Sequence, residues 1–329
     1  MNANTTVRFS LTALAGLILS GCLQIMPMIA PKVADVEPGI SADFPYERQF
    51  AEVHGHRMAY VEAGEGDPIL LLHGNPTSAY LWRNVIPQLT GAGRVIAVEM
   101  IGFGASDKPS IDYTFEDHAR YIAGFIEVMD LTDISLVMHD WGGGVGLDYA
   151  ARHPDTVKAL IFMEAVIRPM AWSEATLPER LMFGSLRDPE RGFEIAAEDN
   201  YFVEQMLPML SGRDLTDAEM DAYRAPFPTV ESRRPVAQWP REIPIGGEPV
   251  DTVQRIGANY DWLVASDTPV LLVYAEPGMI VKPAFREALQ ADLPRLETAF
   301  IGEGLHYIQE TLPTLIGQVV ADWLSELPS

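Results

Sequence analysis

The residues best suited to chemistry lie around Asp140, where a short apolar run ends abruptly in small residues. Residues 134–137 read Ile-Ser-Leu-Val, and Asp140 is followed by Trp141, three glycines and a stretch typical of a helix. This pattern predicts a strand, a sharp turn and a helix, with the Asp140 carboxylate presented at the turn. A carboxylate nucleophile forms an ester with an electrophilic carbon, so the residue type at this turn sets the class of reaction.

Other reactive side chains come soon after other predicted strands. These side chains are Asn75, Glu164, Glu276 and His306. The carboxyl ends of parallel strands meet at one edge of a sheet, where ligands bind in open α/β folds. A nucleophile, a histidine base and an acid that orients the base can therefore converge there. Both Glu164 and Glu276 are candidates for that acid.

The elements that must position these groups follow a regular rhythm. From about residue 46, short β-like runs alternate with amphipathic stretches, which predicts a mostly parallel sheet with helices on both faces. Residues 168–245 break the rhythm with helical patterns separated by prolines and no convincing strand. We therefore predict an α/β core over 46–167 and 246–329, with a helical cap over 168–245 that closes the sheet edge into a dry pocket.

Composition limits the partners of this domain. The chain has 329 residues, 48% of them hydrophobic, and a formal net charge of −23 at pH 7. This length and apolar content fit one large α/β domain with an insertion. Nucleic acid is excluded as a partner, because no basic stripe is present to neutralise phosphates.

The N-terminal residues have the features of an export signal. An apolar run of about 13 residues, too short to span a bilayer, leads to Leu19-Ser20-Gly21-Cys22. This stretch resembles the bacterial lipoprotein box, in which the cysteine is lipidated. We therefore expect a signal peptide over 1–22, a tether over 23–45 and an envelope or periplasmic location, with contact to a membrane only through a lipid on Cys22. The alternative is a cytoplasmic protein that starts later in the chain.

Several motifs together resemble the haloalkane dehalogenases of the α/β-hydrolase superfamily. The motifs, in chain order, are His73-Gly-Asn-Pro-Thr-Ser78, Leu81-Trp-Arg-Asn84, Gly102-Phe-Gly-Ala-Ser-Asp107, His139-Asp-Trp-Gly142, Met163-Glu164, Trp239-Pro-Arg241, Ala275-Glu-Pro-Gly278 and His306-Tyr-Ile-Gln-Glu310. The resemblance extends from about residue 46 to 328. It implies an α/β-hydrolase fold with a mostly parallel eight-stranded sheet, helices on both faces and a helical cap.

The resemblance also implies a role for each reactive residue. Asp140 displaces halide in line and forms an alkyl ester, while the side chains of Trp141 and Asn75 donate hydrogen bonds to the departing halide. His306 activates the water that hydrolyses the ester, and Glu164 orients His306. The backbone N–H groups of Asn75 and Trp141 are candidate oxyanion donors. Such a reaction needs a small haloalkane and water, and no metal or other cofactor.

The resemblance favours Glu164 over Glu276 as the triad acid, because the Glu-Pro-Gly context of Glu276 is typical of a turn. It also implies apolar pocket positions in the cap, although ordinary packing explains these residues equally well. These positions are Trp172, Phe183, Phe202, Leu210 and Pro240. Of the other histidines, we expect a structural role for His73, an inward orientation for His139, and surface positions for the rest. The surface set is His54, His56, His118 and His153.

Two other functions compete with dehalogenation. An epoxide hydrolase shares the Asp nucleophile, the following Trp and the His base, and commonly uses two cap tyrosines as acids; Tyr201 and Tyr223 lie in the predicted cap. Asn75 and the choice of Glu164 as acid argue against this alternative. The second competitor is an envelope-tethered binding protein that kept the pocket and lost catalysis.

Overall fold

A central eight-stranded sheet organises the part of the chain that the computed structural model describes, residues 32–34 and 36–328. The strands are β1 (Gln49–Val53), β2 (His56–Ala63), β3 (Pro68–Leu72), β4 (Arg94–Val98), β5 (Ile134–Asp140), β6 (Val157–Ala165), β7 (Val270–Pro277) and β8 (Glu297–Gly304). They lie in the order β1-β2-β4-β3-β5-β6-β7-β8. Strand β2 is antiparallel to β1 and β4, and all the other pairs are parallel. The predicted fold class is confirmed.

Helices cover both faces of the sheet. They are α1 (Ile86–Leu89), α2 (Phe115–Val128), α3 (Trp141–Arg152), α4 (Leu177–Arg187), α5 (Pro189–Phe193), α6 (Leu207–Leu210), α7 (Asp217–Arg224), α8 (Arg234–Glu242), α9 (Val250–Ala265), α10 (Pro283–Asp292) and α11 (Pro313–Glu326). Strand β3 illustrates why both faces are covered: Leu70 and Leu72 belong to one apolar cluster, whereas Ile69 and Leu71 belong to the other. Alternate residues of a strand point to opposite faces, so a continuous apolar run requires burial on both sides.

The segment predicted as the cap is helical. Between residues 168 and 245, all of which are described, the structure contains helices α4 to α8 with short 3₁₀ and π segments, and no strand of the main sheet. The two ends of the segment lie side by side, since the N–H of Met170 donates to Pro244 O at 2.8 Å and that of Gly246 donates to Met170 O at 2.9 Å. The cap therefore leaves the core and returns to it at one place.

The segment 32–34 and 36–45, here termed the N-terminal strap, packs against the domain. The N–H of Val33 donates to Gly212 O in the cap at 2.8 Å. The Glu37 carboxylate accepts 2.8 Å bonds from the N–H groups of Thr314 and Leu315, and so caps the first turn of α11. The described part of the predicted tether is thus ordered structure fixed to both the cap and the core.

The predicted signal peptide, Cys22 and the rest of residues 1–31 lie outside the described residues. Within the described part, no helix has the length and apolar character that a bilayer span requires.

A buried group of charged residues, here termed the cap–core charge cluster, joins the two parts of the molecule. Its members are Arg83 and Glu310 of the core with Arg213, Glu219 and Tyr223 of the cap. Arg83 binds both carboxylate oxygens of Glu310, at 2.6 and 2.8 Å, and reaches Glu219 at 2.9 Å. Both carboxylates in the cluster are therefore satisfied by guanidinium groups, as buried charges require.

Candidate active site

Asp140 occupies the turn between β5 and α3, as the sequence predicts. Its backbone is in a strained region, with φ 52° and ψ −125°, which turns the chain sharply from strand to helix. The turn passes so close to β3 that a Cβ on Gly142 would lie 2.7 Å from the carbonyl carbon of Leu72. Asp140 is buried, with 10% of its side chain exposed, and its Oδ1 accepts a 2.7 Å bond from the N–H of Asn75.

His306 lies between the two predicted carboxylates. Its Nε2 is 3.4 Å from Asp140 Oδ2, and its Nδ1 is 3.4 Å from Glu164 Oε2. The carbonyl oxygen of His306 contacts Nε2 of buried His139 at 2.9 Å, which helps to fix the loop after β8. The structure thus brings together Asp140, His306 and Glu164 in the order that a nucleophile, base and orienting acid require.

Glu164 is held in place by backbone groups that the sequence analysis did not single out. Its carboxylate accepts bonds from the N–H groups of Met279, Ile280 and Val281, at 2.9, 2.7 and 3.1 Å. The loop that carries these donors begins at Gly278, so the Glu-Pro-Gly turn was the available signal. Glu276, the other candidate acid, is exposed and paired with Arg286 at 2.8 Å.

The charges in the site shift the pKa values of His306 and Asp140. Burial alone would lower the pKa of His306, but its hydrogen bonds to Asp140 and Glu164 and their negative charges raise it to about 9. Burial likewise opposes ionisation of Asp140, but the hydrogen bond and charge of His306 hold the pKa of that carboxyl below its ordinary value. The contacts within the site therefore favour the cationic form of His306 and the ionised form of Asp140.

The two predicted halide donors lie beside the nucleophile. Trp141, Asn75 and Asp140 all line one cavity. The Trp141 ring stacks on Trp239 with 4.4 Å between centroids and 21° between planes, which fixes the direction of its indole N–H. Asn75 donates from Nδ2 to Val236 O of the cap at 3.2 Å, leaving its second amide hydrogen for another acceptor.

The cavity has a volume of about 270 Å³ and is lined mostly by apolar side chains. Three predicted pocket residues, Phe183, Phe202 and Pro240, line it. The other two, Trp172 and Leu210, do not. Trp172 is half-buried under the guanidinium of Arg187, 5.3 Å from its ring centroid, and Leu210 is buried at the end of α6, where its carbonyl accepts the N–H of Tyr307.

Two inward-facing histidines stay neutral. His73 accepts the N–H of Met100 at Nε2 and contacts Gly74 O through Nδ1, so it braces the loop that carries Asn75. Burial lowers the pKa of His73 to about 4 and that of His139 to about 3. Among the described residues, no group of three or more His, Cys, Asp or Glu is arranged to hold a metal ion.

The surface position expected for His118 is wrong. This residue is fully buried in α2 and stacks on Trp239 with 4.1 Å between centroids. It shares the core-facing side of the helix with Phe115 and Ile122, at the spacing i, i+3 and i+7. The helical period therefore buries a residue whose polarity alone indicates exposure.

The cap tyrosines that an epoxide hydrolase would use lie away from the cavity. Tyr223 donates its buried hydroxyl to Glu310 in the cap–core charge cluster, and Tyr201 is buried without lining the cavity. A different tyrosine, Tyr307, lies among the residues that line the cavity, directly after His306 in the chain. The Tyr307 hydroxyl donates to Asn75 O at 2.9 Å. Tyr307 was missed in the sequence, although its position beside the base was a signal.

Comparisons with known proteins agree with this site. The family model described as "alpha/beta hydrolase fold" matches residues 67–313. A haloalkane dehalogenase of Sphingobium indicum is 44% identical over 287 residues, 85% of this chain and 96% of the relative. The chain belongs to the haloalkane dehalogenase family. A haloalkane dehalogenase of Mesorhizobium japonicum is also 44% identical, and this match covers 82% of this chain and 88% of the relative.

Solved structures of haloalkane dehalogenases share the whole fold. DbeA from Bradyrhizobium elkani has a TM-score of 0.82 and 42% identity, and the match covers 85% of this chain and 97% of that one. DatA from Agrobacterium tumefaciens has a TM-score of 0.83 at 35% identity, over 88% of this chain and 100% of that one. The dehalogenase resemblance therefore extends through both core and cap.

Proposed function

We propose that this chain hydrolyses carbon–halogen bonds of small haloalkanes, giving an alcohol, a halide and a proton. Membership of the haloalkane dehalogenase family supports the reaction class. The observation that supports the residue roles is the position of His306, which contacts Glu164 on one side and Asp140 on the other. Asp140 and His306 line an apolar cavity together with Trp141 and Asn75. The substrates are uncharged molecules of a few carbons, which the volume and lining of the cavity accommodate.

The first step is displacement of halide by Asp140. Oδ1 accepts the N–H of Asn75 at 2.7 Å, whereas Oδ2 lies 3.4 Å from His306 Nε2, so we assign the attack to the more loosely held Oδ2. A bond forms from Oδ2 to the substrate carbon while the carbon–halogen bond breaks, and the halide leaves with the bonding electrons. The indole N–H of Trp141 and the amide of Asn75 stabilise the departing anion in a cavity of low polarity.

The second step is hydrolysis of the ester. Alkylation removes the charge of Asp140, one of the two charges that raise the pKa of His306, so the imidazolium loses its proton more readily. Neutral His306 then takes a proton from water, whose oxygen attacks Cγ of Asp140. The negative charge that develops on Oδ1 is stabilised by the N–H of Asn75. The Cγ–Oδ2 bond then breaks, the leaving oxygen takes the proton held by His306, and the alcohol departs with Oδ2 while the oxygen from water stays in the Asp140 carboxyl group.

A substrate comparison tests this function. The full chain should release bromide from 1-bromobutane and 1,2-dibromoethane, and Asp140→Asn should release none. Turnover of styrene oxide without halide release from any haloalkane in a varied panel would make the chain an epoxide hydrolase. The positions of Tyr201 and Tyr223 outside the cavity argue against that result.

Trapping the ester separates an enzyme from a binding protein. In His306→Phe, the first step needs no base and should proceed, whereas hydrolysis should stop. Mass spectrometry should then detect one alkyl group on Asp140 after incubation with 1-bromobutane. Absence of an adduct with every haloalkane tested would leave the ester mechanism unsupported and favour the binding-protein alternative.

We also propose that residues 1–22 direct export and that Cys22 carries a lipid, which would place the enzyme in the cell envelope. The sequence Leu19-Ser20-Gly21-Cys22 supports this proposal. In a bacterial host, the full chain should incorporate labelled palmitate, and Cys22→Ser should not. A cytosolic protein that keeps its N-terminal methionine would contradict it and favour the cytoplasmic alternative.

A further inference from the structure

A second cavity, of about 450 Å³, lies against a different face of helix α8 from the one that meets the active site. Pro240 of α8 lines the active-site cavity, whereas Arg234, Gln238 and Arg241 line the second one. These three residues are spaced i, i+4 and i+7, so they share one side of the helix. The remaining lining residues are Asp112, Thr114, Phe193 and Ala237.

Arg241 is exceptional among the arginines of the described segments. It is half-buried, yet its guanidinium group alone forms no hydrogen bond or ion pair with another described residue. The chain carries 46 acidic against 23 basic residues, so carboxylate partners are abundant elsewhere. Its neighbour Arg234 makes a single marginal contact, 3.5 Å to Ile111 O. The dehalogenase chemistry proposed above uses Pro240 of the motif Trp239-Pro-Arg241 and leaves Arg241 without a role.

We propose that Arg234, Gln238 and Arg241 form a binding site for a small oxyanion, separate from the active site. The planar guanidinium group presents paired N–H donors that match the oxygens of a phosphate or a carboxylate. The Gln238 amide donates one hydrogen to Glu242 Oε1 at 2.5 Å and keeps its second hydrogen as a neutral donor. Asp112 lines the same cavity without pairing with either arginine in the described structure, and its charge opposes the anion. A bound anion would restrain the helix whose Val236 carbonyl accepts the Asn75 side chain.

Titration calorimetry with inorganic phosphate, and separately with acetate, tests the site on the full chain at constant chloride. Arg241→Gln and Arg234→Gln should each weaken binding at least about tenfold, which corresponds to about 1.4 kcal/mol. Asp112→Asn should strengthen it. Arg57→Gln, which removes a charge from a 62% exposed side chain in β2, is the matched control and should leave binding unchanged. The phosphate and acetate arms distinguish a phosphate site from a carboxylate site.

The proposal is overturned if neither anion binds the wild type, or if binding survives both arginine substitutions. Thermal unfolding without added anion checks the fold of each variant. If Arg241→Gln does not fold, Arg241→Lys keeps the charge and removes the paired donors, so it should bind more weakly than the wild type. Equal binding by Arg241→Lys and Arg57→Gln would contradict a guanidinium-specific site.

Discussion

The two carboxylates of the site differ in how many of their acceptor positions are occupied. Glu164 accepts three backbone N–H groups and faces His306, so it is fixed as an orienting anion. Asp140 has one oxygen held by the N–H of Asn75 and the other directed to His306 across 3.4 Å. An oxygen with few donors keeps its electron pairs available, so the environments assign the nucleophile and the orienting acid to different residues.

Replacement of Glu164 by Gln should slow ester hydrolysis more than ester formation. The change removes the charge that stabilises imidazolium, and the new amide hydrogens face backbone donors. We expect steady-state halide release to fall by about 10²–10⁴-fold, preceded by a burst of about one halide per active site. Rapid-mixing measurements of bromide release provide the test.

The matched control is Glu276→Gln, which alters the other candidate acid, an exposed residue paired with Arg286. Its halide release should remain close to that of the wild type. A large loss in Glu276→Gln together with a small one in Glu164→Gln would reverse the assignment of the triad acid.

The raised pKa of His306 should make stability depend on pH. The folded-state pKa of about 9 exceeds the ordinary value of 6.5, so the charged imidazole stabilises the fold fully below pH 6.5. This contribution, on the order of 3 kcal/mol, is lost as pH rises through 9. The unfolding free energy of the wild type should therefore decrease relative to that of His306→Phe between pH 6.5 and 9, as measured by urea denaturation.

Comparison with His306→Phe removes the effect of other groups that titrate in this range, such as Lys108, whose pKa burial lowers to about 8. A constant difference between the two proteins across the range would show that His306 is not held as a cation.

At the scale of elements, the site lies at the sheet edge where the ends of β3, β5, β6, β7 and β8 come together. The loop after β3 passes so close to the turn after β5 that Gly74 has no room for a side chain. A Cβ on Gly74 would lie 2.6 Å from Cγ of Asp140 and 2.5 Å from its Cβ. Glycine is therefore needed there to leave room for the Asp140 side chain.

Gly74→Ala should displace the Asp140 side chain while the fold persists. We expect halide release to fall by at least about a hundredfold, since misplacement of a reacting group by about 1 Å has effects of that size. The adduct on Asp140 should also be lost in the His306→Phe background. Gly91→Ala is the control, because a Cβ there meets no atom within 4 Å. Equal activity in the two variants would contradict the packing argument.

The strand ends could be predicted from the sequence because each apolar run stops at a turn residue, and the reactive residues follow at once. The side of each cap helix that faces the cavity could not be predicted from the sequence. Helices α4 to α8 are short and interrupted by prolines, so their rotation depends on packing with the core. Phe183 and Phe202 therefore reach the cavity, whereas Trp172 and Leu210 pack elsewhere. The backbone donors to Glu164 were signalled only by the Glu-Pro-Gly turn before them, because a backbone N–H is common to almost every residue type.

At the scale of the whole molecule, cap and core are joined by buried charge as well as apolar contact. The cap–core charge cluster includes Glu310, four residues after His306. The segment that carries His306 is therefore joined to the cap by these ion pairs. Buried ion pairs contribute little net stability compared with apolar replacements, but removal of one partner leaves an unpaired buried charge.

Arg83→Met should destabilise the protein by about 3–5 kcal/mol, because Glu310 and Glu219 each lose a guanidinium partner. Arg224→Gln breaks an exposed pair with Glu204 and should cost less than about 1 kcal/mol. Urea denaturation of both variants gives the comparison. Similar losses in the two variants would mean that the cluster does not hold the cap to the core.

The N-terminal strap extends the folded domain toward the N-terminus beyond the family match. The family match begins at residue 67 and the first strand at Gln49, yet Glu37 caps α11 near the other end of the chain. A fragment trimmed to either of those starts would leave the positive end of that helix dipole without its carboxylate. The folded structure of this protein thus includes residues that precede the family match.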